Sequence, residues 1–192
     1  MQSIYGPDAV LAGMTLAADR MIVLETERLT LRHASLDDAA FILRLLNEPA
    51  FLQYIGDRGV RSLDDARDYI ATRLIASYEQ HGFGLWVVTR SASPEPLGIC
   101  GLVKRDTLPE PDIGFAFLQE HWRNGIGFES AVGVKRYAFE HLALPRLLAI
   151  VNPDNAGSIR ILEKLGFTFE RTSEPPDGRT VRVYALERGV SS

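Results

Sequence analysis

Residues Phe115–Ala131 read Phe-Ala-Phe-Leu-Gln-Glu-His-Trp-Arg-Asn-Gly-Ile-Gly-Phe-Glu-Ser-Ala, an apolar strand-like run that turns through two close glycines into a helical pattern. That geometry makes an anion site. The first backbone N–H groups of a helix have no partner inside it, and the aligned peptide dipoles place about half a positive charge there. Phosphate oxygens answer both demands. Gly125 and Gly127 let the backbone of Ile126 and Phe128 approach a pyrophosphate with no Cβ in the way, while Arg123 and the Asn124 amide can add hydrogen bonds. Taken alone, the glycines serve equally well to close a tight turn. A Rossmann fingerprint needs a third glycine where Ser130 stands, and a P-loop needs a Gly-Lys-Ser/Thr ending that the segment lacks.

Any anion must be held locally in this way, because 21 basic and 25 acidic residues leave a net charge of -4 and no basic field for nucleic acid or anionic lipid. The chain has 192 residues, 46% of them hydrophobic, enough to bury one sizeable core without disulfides or a structural metal. Cys100 is the sole cysteine, which excludes an intramolecular disulfide and thiolate-bound zinc and points to the cytoplasm. His33, His81, His121 and His141 are too scattered to form a ligand pair, so no metal is expected. The apolar stretch from Ala9 to Ala18 is about half of the roughly 20 residues a bilayer needs, and no basic residue precedes it. No membrane span is expected. Gly6-Pro7 and Gly13 interrupt residues 1–20, and Met21 opens a cleaner pattern that could be a true start. These residues read as an appendage, which could be a dimer arm or an extra edge strand, and 21–192 as the folded domain.

Arg28–Arg32 alternates as a strand, and Ser35 with Asp38 resembles a capping box ahead of a helix through Phe41, Ile42, Leu45 and Leu46, ended by Asn47-Glu48-Pro49. Ser62 with Asp65 starts a second helix. Gly82–Thr89 and Leu97–Val103 read as a hairpin joined by Ser91–Pro96, and Asp112–Leu118 as the fourth strand. A long helix from Gly125 to Leu142, the strand Arg146–Val151, a short helix Asn155–Leu165 stopped by Gly166, and the strands Phe167–Arg171 and Thr180–Glu187 follow. Pro175-Pro176-Asp177-Gly178 is the final turn. The order β-α-α-β-β-β-α-β-α-β-β, with no repeat and no interior linker, gives one mixed α/β layered domain.

A second strand-loop-helix segment, Val151-Asn152-Pro153-Asp154-Asn155-Ala156-Gly157-Ser158-Ile159-Arg160-Ile161-Leu162-Glu163-Lys164-Leu165-Gly166-Phe167, follows the Trp-x-x-Gly-x-Gly segment. Together they resemble the GNAT superfamily of acyl-CoA-dependent N-acetyltransferases, over most of Leu24–Glu187. The likeness is greatest to the branch containing the ribosomal-protein N-terminal acetyltransferases, which carry Trp-x-x-Gly where other branches carry Gln or Arg. The resemblance implies a mostly antiparallel twisted sheet, splayed between its fourth and fifth strands, with helices on both faces. It also implies acetyl-CoA as co-substrate, its pantetheine arm in the gap along Phe115, Phe117 and Leu118 and its pyrophosphate on the N–H groups of Arg123–Phe128. Asn155 would bond the pantetheine and Ser158 would lie near the thioester sulfur; an N-cap followed by a first-turn serine accounts for both residues equally well.

Acyl transfer to an amine needs a neutral nucleophile, a stabilised oxyanion and a stabilised leaving thiolate. By the family pattern, the Phe117 N–H would hold the thioester oxygen. Asp112, directly or through water, is the candidate base, with Glu110 its neighbour; both also read as solvated strand-edge carboxylates. Many superfamily members have a tyrosine acid where Leu162 stands, which leaves that role to Ser158, to Tyr184, or to a thiolate stabilised at the helix start. Glu129 would repel a pyrophosphate unless it points away. Cys100, in an apolar strand, reads as a small buried hydrophobe, so transfer is direct, without an acyl-enzyme. Tyr54, Tyr78, Phe83 and Trp86 could line an acceptor groove, but helix and strand cores use such residues more often, and they read as core. The expected activity is acetylation of a primary amine, either a protein N-terminus or a small molecule. The missing tyrosine also admits a non-catalytic acyl-CoA sensor, and a purely structural partner would bind no CoA.

Overall fold

In the computed structural model, which describes residues 21–174 and 178–189, the capping boxes form as their spacing predicts. The Ser35 and Asp38 box opens a single 3-10 turn, Leu36–Asp38, that runs into α1 (Ala39–Leu46). At the second box, Ser62 Oγ accepts from Asp65 N–H at 3.1 Å while the Asp65 carboxylate accepts from Ser62 N–H at 2.9 Å. That box starts α3 (Leu63–Tyr69), which continues through a π-helical stretch, Ile70–Ile75, into α4 (Ala76–His81). Between the boxes Pro49 does more than end α1. Its fixed φ also suits the first helical position, and it opens a short α2 (Pro49–Tyr54) that periodicity over so few residues did not signal.

The sheet holds one strand more than expected, β1 (Ile22–Glu25), which pairs antiparallel with β2 (Leu29–Arg32). It was missed because Ile22-Val23-Leu24 shows no alternation; its burial is partial on both faces. The next strands are β3 (Leu85–Arg90), β4 (Ser93–Val103) and β5 (Asp112–Phe117). The β3–β4 connection is tighter than expected. Arg90 pairs with Ser93 and Thr89 with Pro96, so most of Ser91–Pro96 is strand, with an irregularity that accommodates the prolines. Gly82 lies outside the strand and caps α4 at φ 73. After β5 come α5 (Ile126–Glu140), β6 (Arg146–Val151), α6 (Ala156–Lys164), β7 (Thr168–Ser173) and β8 (Val181–Glu187). Residues 1–20 and Pro175–Asp177 of the expected final turn lie outside the described residues.

The strand order is β1-β2-β3-β4-β5-β6-β8-β7, antiparallel at every junction except β5 beside β6. Helices cover both faces, as adjacent residues of β3 demonstrate. Trp86 packs edge-on against Tyr137 of α5, with ring centroids 5.2 Å apart. Leu85 points to the opposite face, where it lines a cleft together with Phe51 of α2 and Tyr69 of α3. One apolar cluster joins Trp86, Ile99, Val134 and Leu147 across the layers. Among the described residues no helix is long and apolar enough to cross a membrane.

The β2–α1 corner rests on a buried ion pair. Arg32 donates to both Asp38 oxygens at 2.8 and 2.7 Å, and Ser35 N–H donates to the same carboxylate at 2.9 Å. Asp38→Ala would leave the Arg32 charge buried without its partner and is expected to lower the unfolding free energy by about 3–5 kcal/mol. Urea denaturation measures it; a loss under about 1 kcal/mol would show that solvent reaches the guanidinium.

Candidate active site

β5 and β6 run parallel but pair only where Asp112 faces Leu148, and Leu148 N–H donates to Pro111 O at 3.0 Å. On its other side β5 pairs with β4 along its whole length, from Asp112 opposite Val103 to Phe117 opposite Gly98. Leu118 N–H donates to Leu97 O at 3.0 Å, and bonded pairs alternate along an antiparallel ladder. Ala116 and Gly114 therefore turn their N–H and C=O groups toward β4, while Phe115 and Phe117 turn theirs toward β6. Since β6 has already diverged, the Phe115 N–H and C=O and the Phe117 N–H open into a cleft. Trp122 Nε1 takes up the Phe117 C=O at 2.9 Å.

At the end of β5 the chain turns through Arg123 at φ 64 and Gly125 at φ 75 into α5. The first helical bond is Glu129 N–H to Gly125 O at 2.9 Å, and the N–H groups from Arg123 to Phe128 donate to no acceptor among the described residues. Gly127 lies between Phe117 and Ile161, where a Cβ would come within 3.5 and 3.3 Å of their side chains. Ser130 is buried, its hydroxyl donating to Ile126 O at 2.8 Å. Glu129 does point away. Its carboxylate accepts from Thr26 Oγ1 at 2.6 Å, Arg28 N–H at 2.9 Å and Arg28 Nε at 2.6 Å. Burial pushes that carboxyl up, but the three donors and the Arg28 charge together hold it below the usual range. Arg28 also reaches Asn124 O at 3.3 Å, so the β1–β2 turn clasps the α5 turn from behind.

Asp112 is buried rather than solvated, and Arg105 donates to its two oxygens at 2.7 and 3.3 Å. Burial pushes its carboxyl up against the opposing pull of Arg105. It lines the cleft, as do Phe115, Asn155, Ser158 and Leu162. Phe117 and Leu118 are not among the lining residues; Phe117 packs toward Gly127 and Leu118 is core. Asn155 caps α6, its Oδ1 accepting from Ser158 N–H at 3.0 Å, which leaves the amide Nδ2 free to donate to a ligand. The capping and binding readings are therefore compatible. The Ser158 hydroxyl has no protein partner among the described residues. Tyr184 is buried against Phe169 on β7 and does not line the cleft. Glu110 faces Arg146 instead, at 3.6 Å. Of the aromatics read as core, Tyr78, Phe83 and Trp86 are buried, but Tyr54 lines the cleft. Sequence spacing gave no signal for Arg58, Tyr69 and Arg105, which also line it.

The gap between the parallel strands β5 and β6 thus opens beside a helix start whose N–H groups have no acceptor among the described residues. The acetyltransferase (GNAT) domain profile matches residues 28–168, and the chain belongs to that family, whose activity is acetyl-CoA-dependent N-acetyl transfer. It is 34% identical over 151 residues to the uncharacterized N-acetyltransferase YoaA of Bacillus subtilis, covering 77% of this chain and 84% of that protein. Against the N-acetyltransferase p20 of Bacillus licheniformis it is 31% identical over 168 residues, covering 85% and 94%. An acetyltransferase from Agrobacterium tumefaciens shares the fold at a TM-score of 0.75 and 24% identity, over 98% of this chain and 99% of that one. RimL, a ribosomal L7/L12 alpha-N-protein acetyltransferase solved with coenzyme A, superposes at 0.73 and 18% identity, over 86% and 97%.

Cys100 lies fully buried on β4, and burial raises its thiol to about 12 against hydrogen bonds with Ser130 and the Gly101 backbone. In native protein at pH 8 it should react with a disulfide reagent at least a hundredfold more slowly than after unfolding in urea. Comparable rates would reopen a thiol role.

Proposed function

We propose that this chain transfers the acetyl group of acetyl-CoA directly to a primary amine, with the pyrophosphate on the N–H groups of Arg123–Phe128. The unclaimed donors of that turn carry the reading, because such groups need an acceptor and phosphate oxygens supply several at once. Arg123 and Asn124 are exposed beside them and add charge and an amide. When bound, the co-substrate supplies an activated thioester. Phe115 and Phe117 meet its pantetheine arm with backbone groups, and Asn155 Nδ2 donates from the other wall.

The lining residues favour the Phe115 N–H over that of Phe117 as the oxyanion donor. Phe117 then serves the arm nearer the pyrophosphate. Asp112, about 10 Å further along β5, accepts the amine proton through water, and burial helps by raising its basicity. Ser158, unpartnered at the first turn of α6, stabilises the departing thiolate in the position that Leu162 cannot serve. An α-amine, with an ordinary pKa of about 7.7 to 8.0, needs little help to lose its proton.

Calorimetry with CoA, followed by a thiol-release assay over amines, tests the reading; binding without release for any amine would leave a sensor. Arg123→Glu should weaken CoA at least tenfold with an unchanged melting temperature, since the side chain is exposed. Gly125→Val should weaken it similarly and also lower the melting temperature, because valine is strained at φ 75. Unchanged affinity in both would refute the pyrophosphate assignment. Asp112→Asn should cut kcat at least tenfold while KM for acetyl-CoA moves less than twofold, and full turnover would assign the proton elsewhere.

A further inference from the structure

The far end of the cleft from the phosphate turn carries its own positive charge. Arg58, from the loop after α2, and Arg105, from the loop after β4, line it beside Tyr69, with Asp112 the single carboxylate among the lining residues. Asp112 is committed to Arg105, which is 39% exposed at its side chain and keeps an outward edge. Arg58 has no ion pair or hydrogen bond among the described residues. The acids nearest it in sequence are occupied: Asp57 accepts from Arg61 and from Gly59 N–H, Asp64 accepts from Arg67, and Asp65 accepts from the N–H groups of Arg61 and Ser62. The charges of Arg58, Arg73 and Arg105 all act on the Tyr69 phenol, which burial otherwise pushes up. A further arginine, Arg179, lies close over Gly56, where even a Cβ would collide with its guanidinium.

The cofactor does not account for this charge. β5 separates Asp112 from Phe117 by about 17 Å of extended strand, and the phosphate turn lies beyond Phe117. Resting on the acetyltransferase reading above, we infer that the acceptor is a small primary amine bearing an anionic group, a carboxylate or phosphate, which Arg58 and the outward edge of Arg105 receive. From the Phe115 N–H to the Asp112 end is about 10 Å of strand, which suits an anion only a few bonds from the amine. Polyamines and aminoglycosides would bring cations to a cationic wall. Arginine suits either anion, because its planar fork bonds two oxygens at once.

Matched amines separate charge from shape: glycine and L-glutamate against their carboxamides, O-phosphoethanolamine against ethanolamine, with spermidine and a peptide of acidic N-terminal sequence as further arms. Thiol release should give kcat/KM at least tenfold higher for the anionic member of a pair. Arg58→Ala should remove that preference by raising KM for the anionic acceptor at least tenfold, leaving the neutral partner and KM for acetyl-CoA within twofold, with Arg58→Lys restoring part of it. Equal rates within every pair, preference for spermidine or for the peptide, or no turnover of any anionic amine by enzyme that binds CoA would each overturn the inference and leave the acetyltransferase reading standing. Failure to bind CoA at all would instead refute that reading.

Discussion

Backbone N–H and C=O groups taken from water must find partners, and among the described residues the β6-facing side of β5 past its single contact with Leu148 and the N–H groups of the turn from Arg123 to Phe128 are left open. The two stretches are continuous. β4 holds β5 in register along one side, so the other side stays extended and straight even where β6 leaves it. The result is a line of donors and acceptors leading into a helix start, and the proposed acyl-CoA site is built on that line.

That arrangement would fail if a carboxylate in the first turn of α5 faced the phosphates. Glu129 avoids this because Thr26 and Arg28 offer it three hydrogen bonds on the outer side. Its charge remains near enough to favour the helix dipole but is neutralised by Arg28. Strand β1 and its turn, which local periodicity does not signal, hold the turn into α5 from behind. The opposite end of the cleft repeats the theme with the signs rearranged, since Asp112 steadies Arg105 while Arg58 has no partner among the described residues.

Much of the fold could be read from local patterns. Ser35 with Asp38 and Ser62 with Asp65 form their capping boxes, Gly125 and Gly166 bound their helices, and the strands from Asp112 onward match within a residue or two. The exceptions have physical causes. β1 is half-exposed on both faces and so lacks a period, α2 is too short to show one, and the prolines of β4 look like loop until a bulge is allowed. Which of the β6-facing backbone groups on β5 serves the thioester has no local signal, because their opening into the cleft depends on where β6 departs.

By itself the sequence determined the glycine turn into α5, since the glycine spacing, the strand before it and the helix after it are neighbours in the chain and act over a few residues. It also determined that Cys100 is buried, because an apolar strand surrounds it. Only the tertiary structure decided that Asp112 is paired with Arg105, that Tyr184 does not line the cleft, that Tyr54, Tyr69 and Arg58 are in it, and that Glu129 is turned outward. Each of those depends on packing between separate strands, helices or loops, and contacts of that kind leave no periodic trace in a single sequence.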